Sequence, residues 1–346
     1  MKLRQAVLLV GGRGTRVWPL TAHTPKALLP VAGIPFIEYQ IRLVAAAGVE
    51  EVLLAVGQDH LDAWRGYVDA WEGTPALSLA VEEEPLDTAG GLVEALDRLD
   101  DRFLVLNGDV VLEADLAAFI GEAPQEAGGT IALVEVEDPS TYGVVVTDES
   151  HMVEAFVEKP PPGTEPARTV NAGIYVLQRR VLEEYQRGRL SFERVVFPTL
   201  TRRGDLGGIL VSGTWLDIGT QQLLVDTNGF VMRGQSSLHR PAGPHGGSGG
   251  IRKGSWSWVA GGAVVHEGAT IEEGMVMEGA EVADGVVVRG AVVGPGARIG
   301  AGALIAGASL VGPGATIGAG CEIDSGMRVA PDAVLPPGSV TFRPPR

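Results

Sequence analysis

The stretch VLLVGGRGTRVWPLTAHTPKALLP, from Val7 to Pro30, joins an apolar strand to a glycine turn and then to a cationic segment. Its charged residues are Arg13, Arg16 and Lys26, and the first acidic residue of the chain is Glu38. The chain as a whole is acidic, with 43 acidic and 27 basic residues and a formal net charge of -16. A glycine turn followed by cations suits a small anion, because backbone N–H groups and positive side chains both stabilise negative charge.

Composition excludes several classes of protein. With 346 residues and 45% apolar content, the chain is expected to form two soluble, globular domains with buried cores. Its negative charge disfavours a nucleic-acid partner, since an acidic surface repels phosphate backbones. No run approaches the ~18 apolar residues of a membrane span, so we expect no membrane partner. The single cysteine, Cys321, excludes an internal disulfide and indicates a cytoplasmic protein.

The first two thirds of the chain follow an α/β pattern. Apolar runs such as QAVLLV, EVLLAVG and FLVLNGDV alternate with helical patterns such as IEYQIRLVAAAG. This order predicts a mostly parallel sheet covered by helices. After Gly128 the pattern becomes strand-rich, with TIALVEV, YGVVVTD and MVEAFVEK, which predicts a mixed extension of the sheet. The expected fold of residues 1–235 is therefore a Rossmann-like α/β domain.

A second pattern begins after a segment rich in glycine and proline, residues 236–250, which we interpret as a linker. Apolar residues then recur every six positions, at Val293, Ile299, Ile305, Val311, Ile317, Ile323, Val329 and Leu335. The same pattern begins at Val265 and slips near Met277. A six-residue step is typical of a triangular parallel β-helix, in which each hexapeptide forms one wall. Residues 251–346 resemble the hexapeptide repeats of left-handed β-helix proteins, with about five coils of about eighteen residues.

The glycine turn has no common phosphate-binding fingerprint, and GGRGTR alone is equally typical of an ordinary tight turn. The longer pattern G-G-x-G-T-R-x-x-P-L-T-x-x-x-P-K-x-L-L-P-V, from Gly11 to Val31, resembles the signature of sugar-1-phosphate nucleotidyltransferases. The resemblance implies two groups of nucleotide-binding residues. Leu9, Gly11 and Gly12 would contact the base and ribose, while Gly14, Thr15, Arg16 and Lys26 would hold the triphosphate.

Two aspartates follow apolar strands at separate places in the chain. Asp109 ends FLVLNGD and Asp217 lies in WLDIGT. Residues 107–109 also suit an Asn-Gly-Asp turn with no further role. Because Mg²⁺ is usually held by one or two carboxylates and substrate phosphates, a distant pair at one sheet edge is a plausible supply of ligands. The family resemblance assigns Asp109 and Asp217 to Mg²⁺, and it places Asn107 and Gly108 beside the nucleotide.

Further stretches resemble the sugar-phosphate segments of the same family. They are TYGVVV, FVEKP and NAGIY, each of which also reads as an ordinary strand or strand end. By resemblance, Glu158 and Asn171 would bond sugar hydroxyls, Lys159 the sugar's phosphate, and Gly143 would let the backbone approach the sugar. Asp217 also belongs to this group.

The family's reaction is attack of a sugar 1-phosphate oxygen on the α-phosphorus of a nucleoside triphosphate, which releases pyrophosphate. Catalysis then depends on alignment and charge neutralisation, and the ionised phosphate needs no general base. The resemblance implies five catalytic residues: Arg16, Lys26, Asp109, Lys159 and Asp217. A sensor that binds nucleotide sugar without catalysis is the alternative in another class, and retention of these residues favours the enzyme.

The segment VEEEPLDTAGG aligns with the family's base-reading loop and supplies Glu82, Asp87 and Thr88. A carboxylate at Glu82 accepts hydrogen bonds, which suits the N1–H and exocyclic amine of guanine. The surrounding wording most resembles mannose-1-phosphate guanylyltransferases, so GTP and mannose 1-phosphate are the favoured substrates. Thymidylyl-, uridylyl- or adenylyltransferases of glucose 1-phosphate, and guanylyltransferases of other sugars, remain alternatives. Asp87 and Gln221 depart from the family's usual glycine and proline.

The β-helix has two candidate roles by resemblance, acyl transfer and assembly or regulation. His266 is the histidine available within the repeats as an acyl-transfer base, although an ordinary solvated turn explains it better. Cys321 occupies a small inward position and is expected to pack as an apolar residue. We favour a role in homo-oligomerisation or regulation, and expect Trp256 and Trp258 to cap the helix or meet a partner.

Overall fold

The computed structural model describes residues 2–237 and 250–341. Most of the predicted linker therefore lies outside the described residues. The chain divides into two compact units, neither of which is continuous in sequence. The first, called here the sheet unit, comprises residues up to Gly12 and Ile37–Trp215. The second, the β-helix unit, comprises Arg13–Phe36 and the residues from Leu216 onward, so this division differs from the predicted boundary after residue 235.

Before the β-helix, the strands in chain order are β1 (Gln5–Leu9), β2 (Pro30–Val31), β3 (Ile34–Pro35), β4 (Glu51–Gly57), β5 (Ala76–Glu82), β6 (Arg102–Asn107), β7 (Val110–Glu113), β8 (Gly129–Glu135), β9 (Gly143–Thr147), β10 (Val153–Glu158), β11 (Thr169–Gln178), β12 (Leu206–Leu210) and β13 (Thr214–Asp217). The helices are α1 (Ile37–Ala46), α2 (Leu61–Asp69), α3 (Asp87–Glu94), α4 (Leu116–Glu122), α5 (Arg180–Glu183), α6 (Phe197–Arg203) and α7 (Gln221–Met232). Short 3₁₀ turns cover Thr15–Val17, Leu20–Ala22, Lys26–Leu28 and Leu96–Arg98, and a π turn covers Phe192–Val196.

The sheet unit contains a nine-stranded mixed sheet, which confirms the predicted α/β class. Its main path runs β10-β9-β11-β6-β1-β4-β5. Strands β6, β1, β4 and β5 are parallel, whereas β11 runs antiparallel to β6 and β8 antiparallel to β11. The parallel part comes from the alternating strand and helix patterns, and the antiparallel part from the strand-rich region after Gly128. Buried side chains from both parts, including Val7, Val105 and Tyr175, form one core.

The β-helix unit contains three parallel sheets of five strands each, consistent with a left-handed β-helix of five coils. The strands of the first sheet are Ile251–Lys253, Thr270–Glu272, Val287–Arg289, Leu304–Ala306 and Glu322–Ile323; those of the second are Trp258–Val259, Met275–Val276, Val292–Val293, Leu310–Val311 and Arg328–Val329; those of the third are Val264–Val265, Glu281–Val282, Arg298–Ile299, Thr316–Ile317 and Val334–Leu335. Cys321 is buried as expected, and its Sγ donates to the Pro336 carbonyl at 3.2 Å.

The slip in the six-residue pattern has a structural cause. The inward residue after Ile271 is Val276, five positions later, rather than Met277. Val276 pairs with Val293, 17 residues on, whereas Val293 pairs with Val311, 18 residues on. The earlier coils are therefore one residue shorter than the predicted eighteen.

Residues 13–36 pack within the β-helix unit. The indole of Trp258 lies against Gly33, where a Cβ would be 2.9 Å from Nε1. On α7, Asn228 is fully buried, and its Oδ1 accepts a hydrogen bond from the Ala32 N–H at 2.8 Å. Trp256 lies against Gly229 of the same helix. Both tryptophans are 7% exposed, so within the described residues their contacts are made by their own chain.

Candidate active site

The predicted site residues fall into two groups, one in each unit. The sheet unit holds Leu9, Gly11, Gly12, Glu82, Asp87, Thr88, Asn107, Gly108, Asp109, Gly143, Glu158, Lys159 and Asn171. The β-helix unit holds Gly14, Thr15, Arg16, Lys26 and Asp217. The signature therefore changes units between Gly12 and Arg13, inside the glycine turn.

Strands β1 and β6 bring Leu9, Gly108 and Asp109 to one edge of the sheet. The two strands are parallel, with Leu9 paired to Asn107. The Gly108 N–H donates to the Leu9 carbonyl at 2.9 Å, and a Cβ at Gly108 would overlap that oxygen. Glycine is thus required for β6 to end this close to β1, and Asp109 follows at the carboxyl edge where α/β sheets bind ligands.

Gln40 of α1 clamps the turn that carries Asp109. This side chain is fully buried, and its Nε2 donates to the carbonyls of Asn107 at 2.6 Å and Val110 at 2.8 Å. Both carbonyls flank Gly108 and Asp109, so one amide group fixes the two ends of the turn. Gln40 was not among the predicted site residues, because its position in the IEYQIRLVAAAG helix gives no signal of a long-range contact.

The sugar-phosphate candidates Gly143, Glu158 and Lys159 meet at one end of the β9–β10 hairpin. Gly143 pairs with Glu158, and a Cβ at Gly143 would lie 2.8 Å from the Phe156 ring. The Lys159 ammonium lies 3.1 Å from Glu158 Oε1, with the lysine side chain 63% exposed. The Lys159 N–H donates to the Tyr142 carbonyl at 3.0 Å. The lysine is thus held by its backbone while its charge stays near solvent.

Asn171 is joined to Asn107 through a buried tyrosine hydroxyl. Asn171 Nδ2 donates to the Tyr175 hydroxyl at 3.0 Å, and that hydroxyl donates to Asn107 Oδ1 at 3.4 Å. Burial strongly raises the pKa of Tyr175, which keeps the hydroxyl protonated as a donor. Asn171 Oδ1 also accepts from the Gly173 N–H at 2.8 Å, across the irregular part of β11. Tyr175 thus positions two of the predicted residues.

An aromatic pair joins the hairpin to β11. The rings of Tyr142 and Trp215 meet edge to face, with centroids 4.9 Å apart, and Trp215 Nε1 donates to the Ala172 carbonyl at 3.1 Å. Tyr142 precedes Gly143 and Ala172 follows Asn171. The pair therefore sets the hairpin and β11 at a fixed distance from each other.

The predicted base-reading residues lie at the junction of β5 and α3. Glu82 Oε2 accepts a hydrogen bond from the Leu86 N–H at 3.2 Å, and the other oxygen lies directly against Gly91. Desolvation by burial raises the pKa of Glu82, the Leu86 N–H opposes that shift, and the charges of Glu94 and Asp87 add to it. Glu82 therefore shapes this loop whatever it contacts in a ligand.

Asp87 and Thr88 begin α3 in different ways. Asp87 has φ +67°, in the left-handed region, and its carboxylate accepts from the Thr88 N–H at 3.0 Å. Thr88 donates its hydroxyl hydrogen to Glu193 Oε2 at 2.8 Å and accepts from the Phe192 N–H at 2.9 Å. The Thr88 hydroxyl thus ties α3 to the π turn.

In the β-helix unit, Gly14 shapes the predicted triphosphate loop. It has φ +61°, and a Cβ there would lie 2.8 Å from Thr21 Cγ2 and 3.0 Å from Lys26 Cβ. The Thr21 hydroxyl donates to the Gly14 carbonyl at 3.0 Å. Only glycine combines this backbone conformation with such close neighbours, so Gly14 determines how near Lys26 lies to the turn.

Arg16 and Asp217 lie together beside Gly219. A Cβ at Gly219 would be 2.8 Å from Asp217 Oδ1 and 3.1 Å from Arg16 Nη2. The Gly219 N–H donates to Asp217 Oδ1, and Asp217 is also fixed by its carbonyl, which accepts from the Thr227 hydroxyl at 2.9 Å. A cation and an anion separated 201 positions in sequence are thus adjacent in the β-helix unit.

The residues suit a divalent cation with few protein ligands. Among residues 2–237 and 250–341, no group of three or more histidine, cysteine, aspartate or glutamate side chains forms a metal site. The predicted ligands Asp109 and Asp217 supply hard carboxylate oxygens. This donor type fits Mg²⁺, which commonly binds one or two carboxylates and completes its shell with phosphate and water. In the same described ranges, no helix has the length and hydropathy of a membrane span.

Comparison with known proteins supports the same region of the chain. A family model described as Nucleotidyl transferase matches residues 5–234. A mannose-1-phosphate guanylyltransferase of Mycobacterium tuberculosis is 39% identical over 236 residues, covering 66% of this chain and 65% of that protein. A mannose-1-phosphate guanyltransferase of Gibberella zeae is 35% identical and covers 70% of each chain. The chain thus spans about two thirds of the length of these relatives.

A solved structure has a similar fold. HddC from Yersinia pseudotuberculosis, complexed with GMP-PN, superposes with a TM-score of 0.56 at 27% identity. The match covers 65% of this chain and 98% of that one.

Proposed function

Because the chain belongs to the nucleotidyl transferase family, we propose that it is a sugar-1-phosphate nucleotidyltransferase. In this reaction an oxygen of the sugar 1-phosphate forms a bond to the α-phosphorus of a nucleoside triphosphate. The bond between that phosphorus and the bridging oxygen to the β-phosphate breaks, and pyrophosphate leaves with the electron pair. The observation that carries the proposal is the pairing of Arg16 with Asp217 beside Gly219, in two motifs that the family resemblance had assigned to the site.

The chain's own residues would act by binding and neutralising charge. Arg16 and Lys26 would stabilise the triphosphate and the leaving pyrophosphate, and Lys159 would orient the attacking phosphate. Asp109 and Asp217 would hold Mg²⁺, which neutralises phosphate charge when bound. Since the attacking oxygen is already ionised, the site requires no general base.

We further propose GTP and mannose 1-phosphate as the substrates. The relatives named mannose-1-phosphate guanylyltransferase and the complex of HddC with GMP-PN support this choice. The acceptor chemistry of Glu82 supports guanine, although the same carboxylate also holds Leu86.

Turnover with defined substrates tests both proposals. The protein is incubated with Mg²⁺, mannose 1-phosphate and each of ATP, CTP, GTP, UTP and dTTP, and pyrophosphate is measured. The expected result is fastest release with GTP. Faster release with another nucleotide would overturn the guanine assignment alone, while no release with any nucleotide or with glucose 1-phosphate would overturn the activity.

The metal assignment has a separate test. Asp109→Asn is expected to lower kcat by about 100-fold or more, because a missing carboxylate weakens Mg²⁺ at the developing charge. The neighbouring Asp115→Asn, which alters only the cap of α4, serves as the control. Equal activity and equal Mg²⁺ dependence in Asp109→Asn would contradict the assignment.

We also propose that the protein acts in the cytoplasm as a homo-oligomer assembled through the β-helix. The strand Val334–Leu335 supports assembly, because Val334 is 71% exposed in the last described coil. Sedimentation velocity of the full chain and of Val334→Asp would test this, with a smaller species expected for the variant. An unchanged monomeric mass for both would contradict assembly.

A further inference from the structure

The side chain of Arg328 joins the β-helix to the predicted triphosphate loop. Arg328 lies on the strand Arg328–Val329, and its Nη1 donates to the Thr15 carbonyl at 3.2 Å. Its Nε donates to Gln221 Oε1 at 3.0 Å. All three residues belong to the β-helix unit. One guanidinium therefore contacts both the loop and the first residue of α7.

Gln221 is anchored in turn by the coils. Its Nε2 donates to the carbonyls of Ala308 at 3.1 Å and Gly326 at 3.2 Å. The family's usual proline suits the first position of a helix, but its side chain offers neither donor nor acceptor. The departure at Gln221 thus supplies three hydrogen bonds that a proline would lack.

The contact with Thr15 bears on the orientation of the next residue. The Thr15 carbonyl and the Arg16 N–H share one rigid trans peptide plane and point in opposite directions. Holding the carbonyl therefore fixes the direction of the N–H and the start of the Arg16 side chain. Thr15 and Arg16 are both exposed, so few packing contacts restrain this peptide.

We infer that the β-helix, through Arg328 and Gln221, positions the Thr15–Arg16 peptide to bind the triphosphate of the nucleotide. Arg328 is then a positioning residue, and the β-helix takes part in substrate binding as well as assembly. The inference rests on the proposed function for the identity of the ligand. The contacts that carry it are independent of that function.

The first test measures substrate dependence in the full chain. Arg328→Met is expected to raise KM for GTP about tenfold, the effect of one charge-assisted hydrogen bond, and to leave KM for mannose 1-phosphate unchanged. Gln221→Met should behave similarly, and the double variant should be no worse than Arg328→Met, because both remove one linkage. Arg298→Met is the control, since Arg298 precedes an inward residue of another coil as Arg328 does.

The second test does not require turnover. Hydrogen exchange of peptides covering residues 13–36 and calorimetric titration with GTP and Mg²⁺ are compared for wild type, Arg328→Met and Arg298→Met. Faster exchange and about tenfold weaker GTP binding in Arg328→Met alone are expected. If Arg328→Met does not fold, Gln221→Pro provides the same comparison.

The outcomes separate the two claims. Unchanged KM, GTP affinity and exchange in Arg328→Met would overturn the inference even in an active enzyme. Weakened GTP binding in a protein with no turnover would support the inference and overturn the proposed catalysis.

Discussion

At the scale of the residue, backbone conformation explains one departure from the family pattern. The resemblance places glycine where this chain has Asp87, and φ at that position is +67°. Glycine adopts this conformation without strain, and aspartate tolerates it better than most other residues. The Asp87 carboxylate also contacts Thr88 and lies 3.8 Å from the Arg194 guanidinium, which glycine would not do.

Asp87→Ala is therefore expected to reduce the free energy of unfolding by about 1 kcal/mol, because alanine meets the left-handed strain without the local hydrogen bond. Asp87→Gly should stay within about 0.5 kcal/mol of wild type, since it relieves that strain. Urea denaturation measures both, with Asp97→Ala in the turn Leu96–Arg98 as the control. Equal stability of the alanine and glycine variants would show that the φ value has no energetic consequence.

Glu82 links protonation to stability. Its folded-state pKa is raised, so between the unfolded and folded pKa values the folded protein binds more protons, and stability falls as pH rises through that window. Glu82→Gln should therefore unfold at a higher temperature than wild type at pH 8, and this gain should vanish below about pH 4, where both states are protonated. The exposed Glu84→Gln is the control. A gain that does not change between pH 8 and pH 4 would contradict the burial argument.

The same variant tests base recognition. Glutamine at position 82 keeps an acceptor for the Leu86 N–H but adds a donor. If the carboxylate reads guanine, Glu82→Gln lowers kcat/KM for GTP relative to dTTP. An unchanged ratio would restrict Glu82 to its role in the loop.

At the scale of the element, strand order and turn residues were predictable, and the supports behind them were not. Apolar runs and glycine positions in the sequence predicted that Asp109 follows a strand end, and the structure places it there after β6. Nothing in the local pattern around Gln40 or Tyr175 indicates that they bond Asn107, because those contacts arise from the packing of α1 and β11 on β6. Similarly, five-residue steps in the β-helix appear in sequence only as a loss of register near Met277.

Gln40→Leu is expected to destabilise the protein by about 2–3 kcal/mol and to lower kcat at least about tenfold. Leucine has a similar volume, but it leaves the Asn107 and Val110 carbonyls without their buried donor. Urea denaturation and initial rates of pyrophosphate release measure the two effects, and the exposed Gln58→Leu is the control. Full activity in a folded Gln40→Leu would show that the turn carrying Asp109 does not need this clamp.

At the scale of the whole molecule, the sequence predicted the two kinds of architecture but divided the chain by its linear order. In the structure, residues 13–36 belong with the β-helix and α7, although they follow the first strand of the sheet. Periodicity reports only on local elements, so it has no access to contacts such as Trp258 with Gly33 or Asn228 with Ala32. The predicted nucleotide-binding motif therefore draws on both units.

Trp258→Ala should loosen the signature loop and the β-helix unit together. Removing this buried indole is expected to reduce stability by about 3–5 kcal/mol and to speed hydrogen exchange of residues 13–36. Trp71→Ala in the sheet unit is the control, because Trp71 bonds the Pro75 carbonyl far from these residues in sequence. Slow exchange of residues 13–36 in a folded Trp258→Ala would contradict their dependence on the β-helix.

The contact between Thr15 and Arg328 spans 313 positions, and this separation has a consequence for biosynthesis. A ribosome releases the signature loop early and its partner strand late. At roughly 5–20 residues per second, the delay between them is on the order of 15–60 s. During that interval the strands of the sheet unit are free to pair, while the loop still lacks its arginine contact. Capture of nucleotide by a nascent chain would therefore be weak until the final coils emerge, and tight binding would mark a molecule whose translation has passed Arg328.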